Sequence, residues 1–300
     1  MSLLDGVFVA AITPRRADGP HVDLAAMLEL VDWICAARAQ GIALFGSTGE
    51  FIHFDIAERL RVQALAVRRS RLPVVVNVSH STLDGAVRLA AEASAAGAAG
   101  LLLMPPTFFQ YGQGEIAEFY RQFVREAGKT PPLLLYNIPM FTSGLDAATA
   151  VELLESGLAA GIKDSSGQWD YFLALKALRR SKEFTLFIGN DVVFTRGRIA
   201  GANGVVSGVA CAVPELVTGL DAAIRAGDEA KTARLDALLQ EFIAKIDGFP
   251  APVGVRAAAE ARGVRTGPLN TPLSRQKEIE MAQFREWFSG WWKGVAKEAA

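Results

Sequence analysis

Apolar residues fall along this chain in two alternating rhythms. Short unbroken runs at 7–12, 42–45, 73–78, 100–104, 133–136, 160–163, 185–188 and 204–206 read as buried strands. Helical spacing fills 23–39, 55–70, 82–96, 115–127, 146–155, 169–181, 191–200 and 214–226. The second helical stretch shows the pattern plainly, with Ile56, Leu60, Ala64 and Val67 on one face. Asp55 with Glu58 three positions later predicts a capping box at its start. The strand runs do not alternate apolar with polar, as expected of a parallel sheet covered on both faces. Eight strand–helix units predict a (βα)8 TIM barrel, whose reactive groups gather at the C-terminal ends of the strands. A doubly wound open sheet would want a glycine-rich fingerprint after the first strand, and Thr13-Pro-Arg-Arg stands there instead.

Past residue 226 the strand rhythm stops. Three helical stretches follow, 228–246, 252–262 and 275–295, separated by Asp247-Gly-Phe-Pro and by 266–272. The expected organisation is a catalytic barrel over 1–226 and a C-terminal three-helix extension over 227–300 packed on it. The last helix carries Phe284, Trp287, Phe288, Trp291 and Trp292, an apolar face suited to the barrel or to a neighbouring subunit. Membrane-surface binding is the weaker reading of that face.

Composition narrows the function classes. The 300 residues carry a net charge of −1, with 21% charged and 51% hydrophobic residues, which suits a soluble protein with a large core. The charge balance gives no reason to expect nucleic acid or an acidic membrane as partner. Cys35 and Cys211 are far apart and form no CxxC, so they read as reduced thiols of a cytoplasmic protein. The N-terminus has neither a basic region nor a signal-length apolar run, so no targeting segment is expected. His21, His53 and His80 have no metal-ligand spacing, and structural or solvated roles are expected for them.

The candidate chemistry centres on a lysine. In Leu158-Ala-Ala-Gly-Ile-Lys163-Asp-Ser-Ser-Gly167 an apolar run ends in lysine, a residue rarely buried without a reason. Burial disfavours an ammonium ion, and a neutral amine can attack a carbonyl to form a Schiff base. Snorkelling to solvent is the bland alternative. Other strand ends add to the picture. Gly46-Ser47-Thr48-Gly49-Glu50 could offer N–H groups and hydroxyls to a carboxylate. Tyr136 could be a core aromatic or a proton shuttle beside the lysine. Strand alternation sends Asp164 to the opposite side from Lys163, in a structural role.

Four pieces taken together, Gly46-Ser-Thr-Gly-Glu50, Tyr136-Asn-Ile-Pro139, Gly161-Ile-Lys-Asp164 and Gly204-Val-Val-Ser207, resemble the dihydrodipicolinate synthase / N-acetylneuraminate lyase family. The resemblance spans the chain, helical tail included. It implies class I aldolase chemistry with no metal or organic cofactor, and a homotetramer. It implies Lys163 as the Schiff-base nucleophile and Tyr136 as the proton shuttle. Ser47 and Thr48 would bind the 2-oxo acid carboxylate and orient Tyr136. Gly189 and Asp191 would face the distal end of the substrate, and Val206 would lie beside the bound 2-oxo acid.

Three departures from the family pattern bear on substrate. Phe141 stands where dihydrodipicolinate synthases usually carry an arginine, and a phenyl ring cannot grip a carboxylate bidentately. Phe108 replaces a tyrosine whose hydroxyl completes a relay in the family, and Tyr111 is out of register for that role. Val192 replaces the glutamate typical of sialic acid lyases. The expected substrate is therefore a 2-keto-3-deoxy sugar acid or related 2-oxo acid, cleaved to pyruvate and an aldehyde or formed from them. Dehydration through the same imine is the second choice, since Gly49-Glu50-Phe51 also resembles sugar-acid dehydratases. Dihydrodipicolinate synthesis is disfavoured, and a barrel that binds 2-oxo acids without turnover is the alternative outside enzyme chemistry.

Overall fold

The computed structural model describes residues 4–299. Eight parallel strands close into a barrel in sequence order: β1 (Gly6–Ala10), β2 (Gly41–Leu44), β3 (Val74–Asn77), β4 (Gly100–Leu103), β5 (Leu133–Asn137), β6 (Gly161–Asp164), β7 (Thr185–Ile188) and β8 (Gly204–Ser207). Pairing of Phe8 with Val206 and of Val9 with Ser207 joins β8 back to β1. Helices α1 (Leu24–Ala36), α2 (Ile56–Arg69), α3 (Leu83–Ala96), α4 (Gln113–Ala127), α5 (Ala147–Glu155), α6 (Trp169–Leu178), α7 (Phe194–Ile199) and α8 (Pro214–Ala226) alternate with the strands. This is a (βα)8 TIM barrel, as the apolar rhythm predicts. Every strand residue is buried, because the helices cover the outside while side chains fill the inside.

Packing inside the barrel is set by size. A Cβ on Gly41 would lie 2.1 Å from the Phe8 ring, so the missing side chain on β2 is what lets that ring enter. Phe8 in turn meets Phe187 with ring centroids 5.0 Å apart. Phe187 is the register partner of Lys163, so this aromatic pair stands at the level of the lysine.

Local chemistry trims several predicted elements. β1 ends at Ala10 rather than residue 12, because the Ile12 N–H leaves the ladder and donates to Cys211 Sγ at 3.4 Å. Both cysteines are free thiols. The predicted helix 191–200 is a single 3-10 turn, Asp191–Val193, followed by the six-residue α7. Asn190 caps that turn, its side chain accepting from the Val192 N–H at 3.1 Å. α1 stops at Ala36, ahead of Arg38 with φ +58°. The Asp55 capping interaction is present, with Oδ1 accepting from the Glu58 N–H at 2.8 Å.

Three more helices follow α8: α9 (Glu229–Ile246), α10 (Val253–Ala261) and α11 (Arg275–Ala299). α9 and α11 pack on α8, while α10 reaches the 3-10 turn Val209–Cys211 beyond β8. The aromatic face of α11 is turned inward. Phe284 and Phe288 are buried against Phe242 of α9, and Trp291 stacks on Phe242 at 5.4 Å. The Arg262 guanidinium lies 4.0 Å from the Trp292 ring centroid and 5.1 Å from that of Trp33, linking α11 to α1. No helix among the described residues is long and apolar enough to cross a membrane.

Candidate active site

The site is built at the C-terminal ends of β2, β5, β6, β7 and β8. Tyr136 and Lys163 are register partners on β5 and β6, so strand alternation points both to the same face. Lys163 is 3% exposed, and its Nζ lies 4.1 Å from the centroid of the Tyr136 ring. Ser47 Oγ comes across from the loop after β2 to 3.2 Å from Tyr136 Oη. Burial pushes the Tyr136 phenol up, but the charge on Lys163 and hydrogen bonds with Ser47 and Lys163 outweigh it, and the net direction is down. A phenol so placed gives up its proton more readily than a free tyrosine.

Residues 189 and 191 converge on the lysine from β7. A Cβ on Gly189 would lie 2.8 Å from Lys163 Cε and 2.1 Å from Ser165 Oγ, so only glycine leaves the lysine its path. Asp191 is half-buried, with Oδ1 shut off from solvent and without a hydrogen-bond partner. Burial raises its carboxyl to about 6, against hydrogen bonds from Ser207 and the Val209 N–H and against the charge of Lys163. Thr48 Oγ1 faces the loop after β8, 2.7 Å from where a Cβ on Gly208 would stand. Val206 is buried in β8 as the register partner of Phe8. Phe141 is set apart from this group. It is 51% exposed on the loop after β5, beside the exposed Met140.

Alternation puts the neighbours of the two central residues on the other side of the strands. Asp164 Oδ1 accepts from Asn137 Nδ2 at 2.9 Å and from the Ser166 N–H at 3.1 Å, and its Oδ2 accepts from Ser166 Oγ at 2.9 Å. These bonds tie the ends of β5 and β6 together and so fix the spacing of Tyr136 and Lys163. Asn137 Oδ1 also accepts from the Leu145 N–H, anchoring the loop that carries Phe141.

The loop after β2 is the most constrained part of the site. It runs between two non-glycine residues in the left-handed region, Phe45 at φ +58° and Glu50 at φ +51°. Such residues cost about 1–3 kcal/mol each and persist only where their surroundings fix them. Here Asn77 Nδ2 donates to the Phe45 carbonyl at 2.6 Å, and Thr13 Oγ1 donates to the Gly49 carbonyl at 2.7 Å. Arg256 donates from Nη1 to Glu50 Oε2 at 2.9 Å. Behind the loop, the buried Arg59 donates to the carbonyls of Asn77 and Ser79 and lies over the rings of Phe45 and Phe51. Sequence reading assigned no role to Thr13, Asn77, Ser165, Ser207 or Arg256. Ser207 was visible as the end of the Gly204-Val-Val-Ser207 piece, and Arg256 as a charge among Val255, Ala257, Ala258 and Ala259.

The histidines are engaged locally. His53 Nδ1 lies 3.4 Å from Glu50, His21 Nδ1 lies 3.3 Å from Glu58, and His80 Nδ1 lies 2.9 Å from Thr82 Oγ1. Among the described residues, no group of three His, Cys, Asp or Glu side chains could hold a metal ion.

The fold is a class I aldolase-like (βα)8 barrel, with Lys163 at the end of the sixth strand. The chain belongs to the dihydrodipicolinate synthetase family, whose model matches residues 3–289. It is 30% identical over 276 residues to the 4-hydroxy-tetrahydrodipicolinate synthase of Azoarcus sp. (strain BH72), covering 91% of this chain and 93% of that one. It is 29% identical over 250 residues to a probable 2-dehydro-3-deoxy-D-pentonate aldolase of Escherichia coli (strain K12), covering 81% of each. The crystal structure of the dihydrodipicolinate synthase from Acinetobacter baumannii complexed with pyruvate matches 99% of both chains, at a TM-score of 0.84 and 26% identity.

Proposed function

We propose that this protein is a class I lyase that cleaves a 2-keto-3-deoxy sugar acid, or a related 2-oxo acid, to pyruvate and an aldehyde, or condenses the two. The observation that carries the reading is the meeting of Lys163 and Tyr136, from the paired strands β6 and β5, with Ser47, which reaches across the barrel mouth from the loop after β2. The Lys163 amine adds to the C2 carbonyl of the substrate, and loss of water gives a protonated imine. Tyr136, having given its proton to the departing water, takes the proton of the C4 hydroxyl as the C3–C4 bond breaks and later returns it to C3 of the enamine. The aldehyde leaves, and the bond's electron pair moves into an enamine. Protonation of that enamine at C3 and hydrolysis of the imine release pyruvate and free lysine. The imine acts as electron sink, so one difficult cleavage becomes several easier steps.

In this reading Ser47 and Thr48 hold the substrate carboxylate, and Val206 lies beside its carbon chain. Gly189 and Asp191 face the distal end of the substrate. Phe141 borders the entrance and offers no charge to a second carboxylate, which weighs against dihydrodipicolinate synthesis. The E. coli relative named as a pentonate aldolase supports the substrate class, and the pyruvate complex of the A. baumannii enzyme supports the product. We also propose a homotetramer, as the family resemblance implies, with the large exposed side chains of Phe108, Phe109 and Met140, on the loops after β4 and β5, as candidates for its contacts. Gly49-Glu50-Phe51 is the feature favouring the second reading, dehydration through the same imine.

The test is chemical trapping. The protein is incubated with pyruvate, reduced with borohydride and digested, and the peptides are weighed. A pyruvyl adduct on Lys163 is expected, absent from Lys163→Ala. No adduct in a folded sample at several pH values would overturn pyruvate-forming chemistry. Turnover of 2-keto-3-deoxy pentonates and hexonates, followed by release of pyruvate, then identifies the substrate. Loss of water without pyruvate release would favour the dehydratase.

A further inference from the structure

The residues that hold the loop after β2 come from opposite ends of the chain, and one of them is a buried cation. Arg256 is 1% exposed on α10, outside the strand–helix units of the barrel. Its Nη1 donates to the Thr13 carbonyl at 3.1 Å and to Glu50 Oε2 at 2.9 Å. Its Nη2 donates to the carbonyls of Thr266, Gly267 and Pro268 at 2.7, 3.3 and 3.2 Å. One planar guanidinium thus spans the segment after β1, the last residue of the Ser47–Thr48 loop and the stretch after α10. Thr13 Oγ1 meets that loop again through the Gly49 carbonyl, so Thr13 and Arg256 hold the adjacent residues Gly49 and Glu50 from two directions.

Those residues set where the hydroxyls stand. Glu50 is held left-handed, and Gly49 fits so closely that a Cβ there would lie 3.0 Å from the Ala11 carbonyl and 3.1 Å from Phe45 Cα. Freed from Arg256, Glu50 loses its buried cation, and a non-glycine residue has little reason to keep a positive φ. The turn would relax toward ordinary backbone, carrying Thr48 and Ser47 with it.

We propose that Arg256 is a positioning residue of the active site: through Glu50 and the Thr13 carbonyl it holds Ser47 and Thr48 in the geometry that receives the carboxylate of the 2-oxo acid. The proposal rests on the reading of Lys163 as an imine-forming residue and makes the C-terminal helices part of the catalytic apparatus. Arg256 touches no reacting atom. Its contribution is to hold a carboxylate-binding turn that the barrel alone leaves strained.

The experiment compares Arg256→Met, Arg256→Lys and Glu50→Gln with Arg262→Met. Arg262 also lies on this segment, bonded to Glu215 and the Ala212 carbonyl, but it does not touch the turn. The first readout is the pyruvate concentration that half-saturates borohydride-trapped adduct on Lys163, beside the melting temperature. The second is deuterium exchange of the peptide covering 46–50. Loss of a buried charged hydrogen bond should raise half-saturating pyruvate about 10- to 100-fold in Arg256→Met. Glu50→Gln should move the same way, and Arg256→Lys should recover part of the loss, since an ammonium can reach Glu50 without spanning all five acceptors. Arg262→Met should lower the melting temperature with half-saturation unchanged. Faster exchange at 46–50 is expected in Arg256→Met and Glu50→Gln, to a smaller extent in Arg256→Lys, and not in Arg262→Met.

Unchanged half-saturation and unchanged exchange in both Glu50→Gln and Arg256→Lys would overturn the proposal, even if Arg256→Met fails to fold. Absence of any adduct in the unsubstituted protein would sink the imine reading instead. The exchange measurement would then still decide whether Arg256 holds the turn.

Discussion

At the residue scale, two buried cations, Lys163 and Arg256, stand in different relations to their neighbours in the chain. Lys163 ends an unbroken apolar run, and a charge at that place is conspicuous in one dimension. Arg256 acts on Thr13 and Glu50, more than two hundred residues away, and no local spacing encodes that contact. Asp191 lies between these cases, since its position was readable but its burial beside Lys163 was not. Its burial has a consequence for stability. The folded carboxyl titrates at about 6, above the roughly 3.9 of an unfolded aspartate, so the native state holds the proton more tightly. Stability contributed by this group therefore falls as pH rises from about 4 to about 6, and the full cost remains above that window. Asp191→Asn removes the ionisation. The variant should be more stable than the parent at pH 8, on the order of 1–3 kcal/mol, with the gain vanishing near pH 4. Denaturant melts across that range check it, and a gain that grows toward low pH would refute the assignment.

At the element scale, all eight strands and most helices could be read from periodicity, because each strand is buried on both faces and each helix on one. What failed were the ends. A strand stops where its N–H groups find other acceptors, as Ile12 does at Cys211, and that acceptor, almost two hundred residues on in sequence, stands beside β1 only because β8 closes the barrel against it. The stretch after β7 was read as one helix because apolar spacing does not register the Asn190 side chain, which winds residues 191–193 into a tighter turn. Gly41 was likewise silent in the sequence. With the Phe8 ring 2.1 Å from its would-be Cβ, Gly41→Ala should cost about 1–3 kcal/mol by overpacking. Adding Phe8→Leu should return part of that loss, which a double-mutant cycle of urea midpoints would measure. Additive losses would mean the two side chains do not compete for one space.

At the scale of the whole molecule, the barrel and the helices after it are joined by aromatic and cationic contacts whose partners could not be paired from sequence. The α11 aromatics were visible as a face, but only the structure assigns them to Phe242 and, through Arg262, to Trp33. Phe108 is the opposite case, 88% exposed with φ +81° and paired edge-on with Phe109. The proposed homotetramer covers such side chains with another copy. Phe108→Asp should therefore yield a smaller assembly by light scattering, while the secondary structure seen by circular dichroism stays the same. An unchanged mass would exclude this loop from the assembly.

The guanidinium of Arg256 also sets an order of events in the birth of the protein. Chains leave the ribosome from the N-terminus, and earlier segments begin to fold before later ones exist. When β8 emerges, the barrel can close and bring Lys163 beside Tyr136. The side chain that grips Glu50 has yet to be translated, and three of its carbonyl acceptors come later still. A ribosome-bound intermediate would thus bring Lys163 and Tyr136 together before the Ser47–Thr48 turn is fastened. A premature stop codon between residues 227 and 255 would leave the eight strand–helix units without the side chain that fastens the Ser47–Thr48 loop.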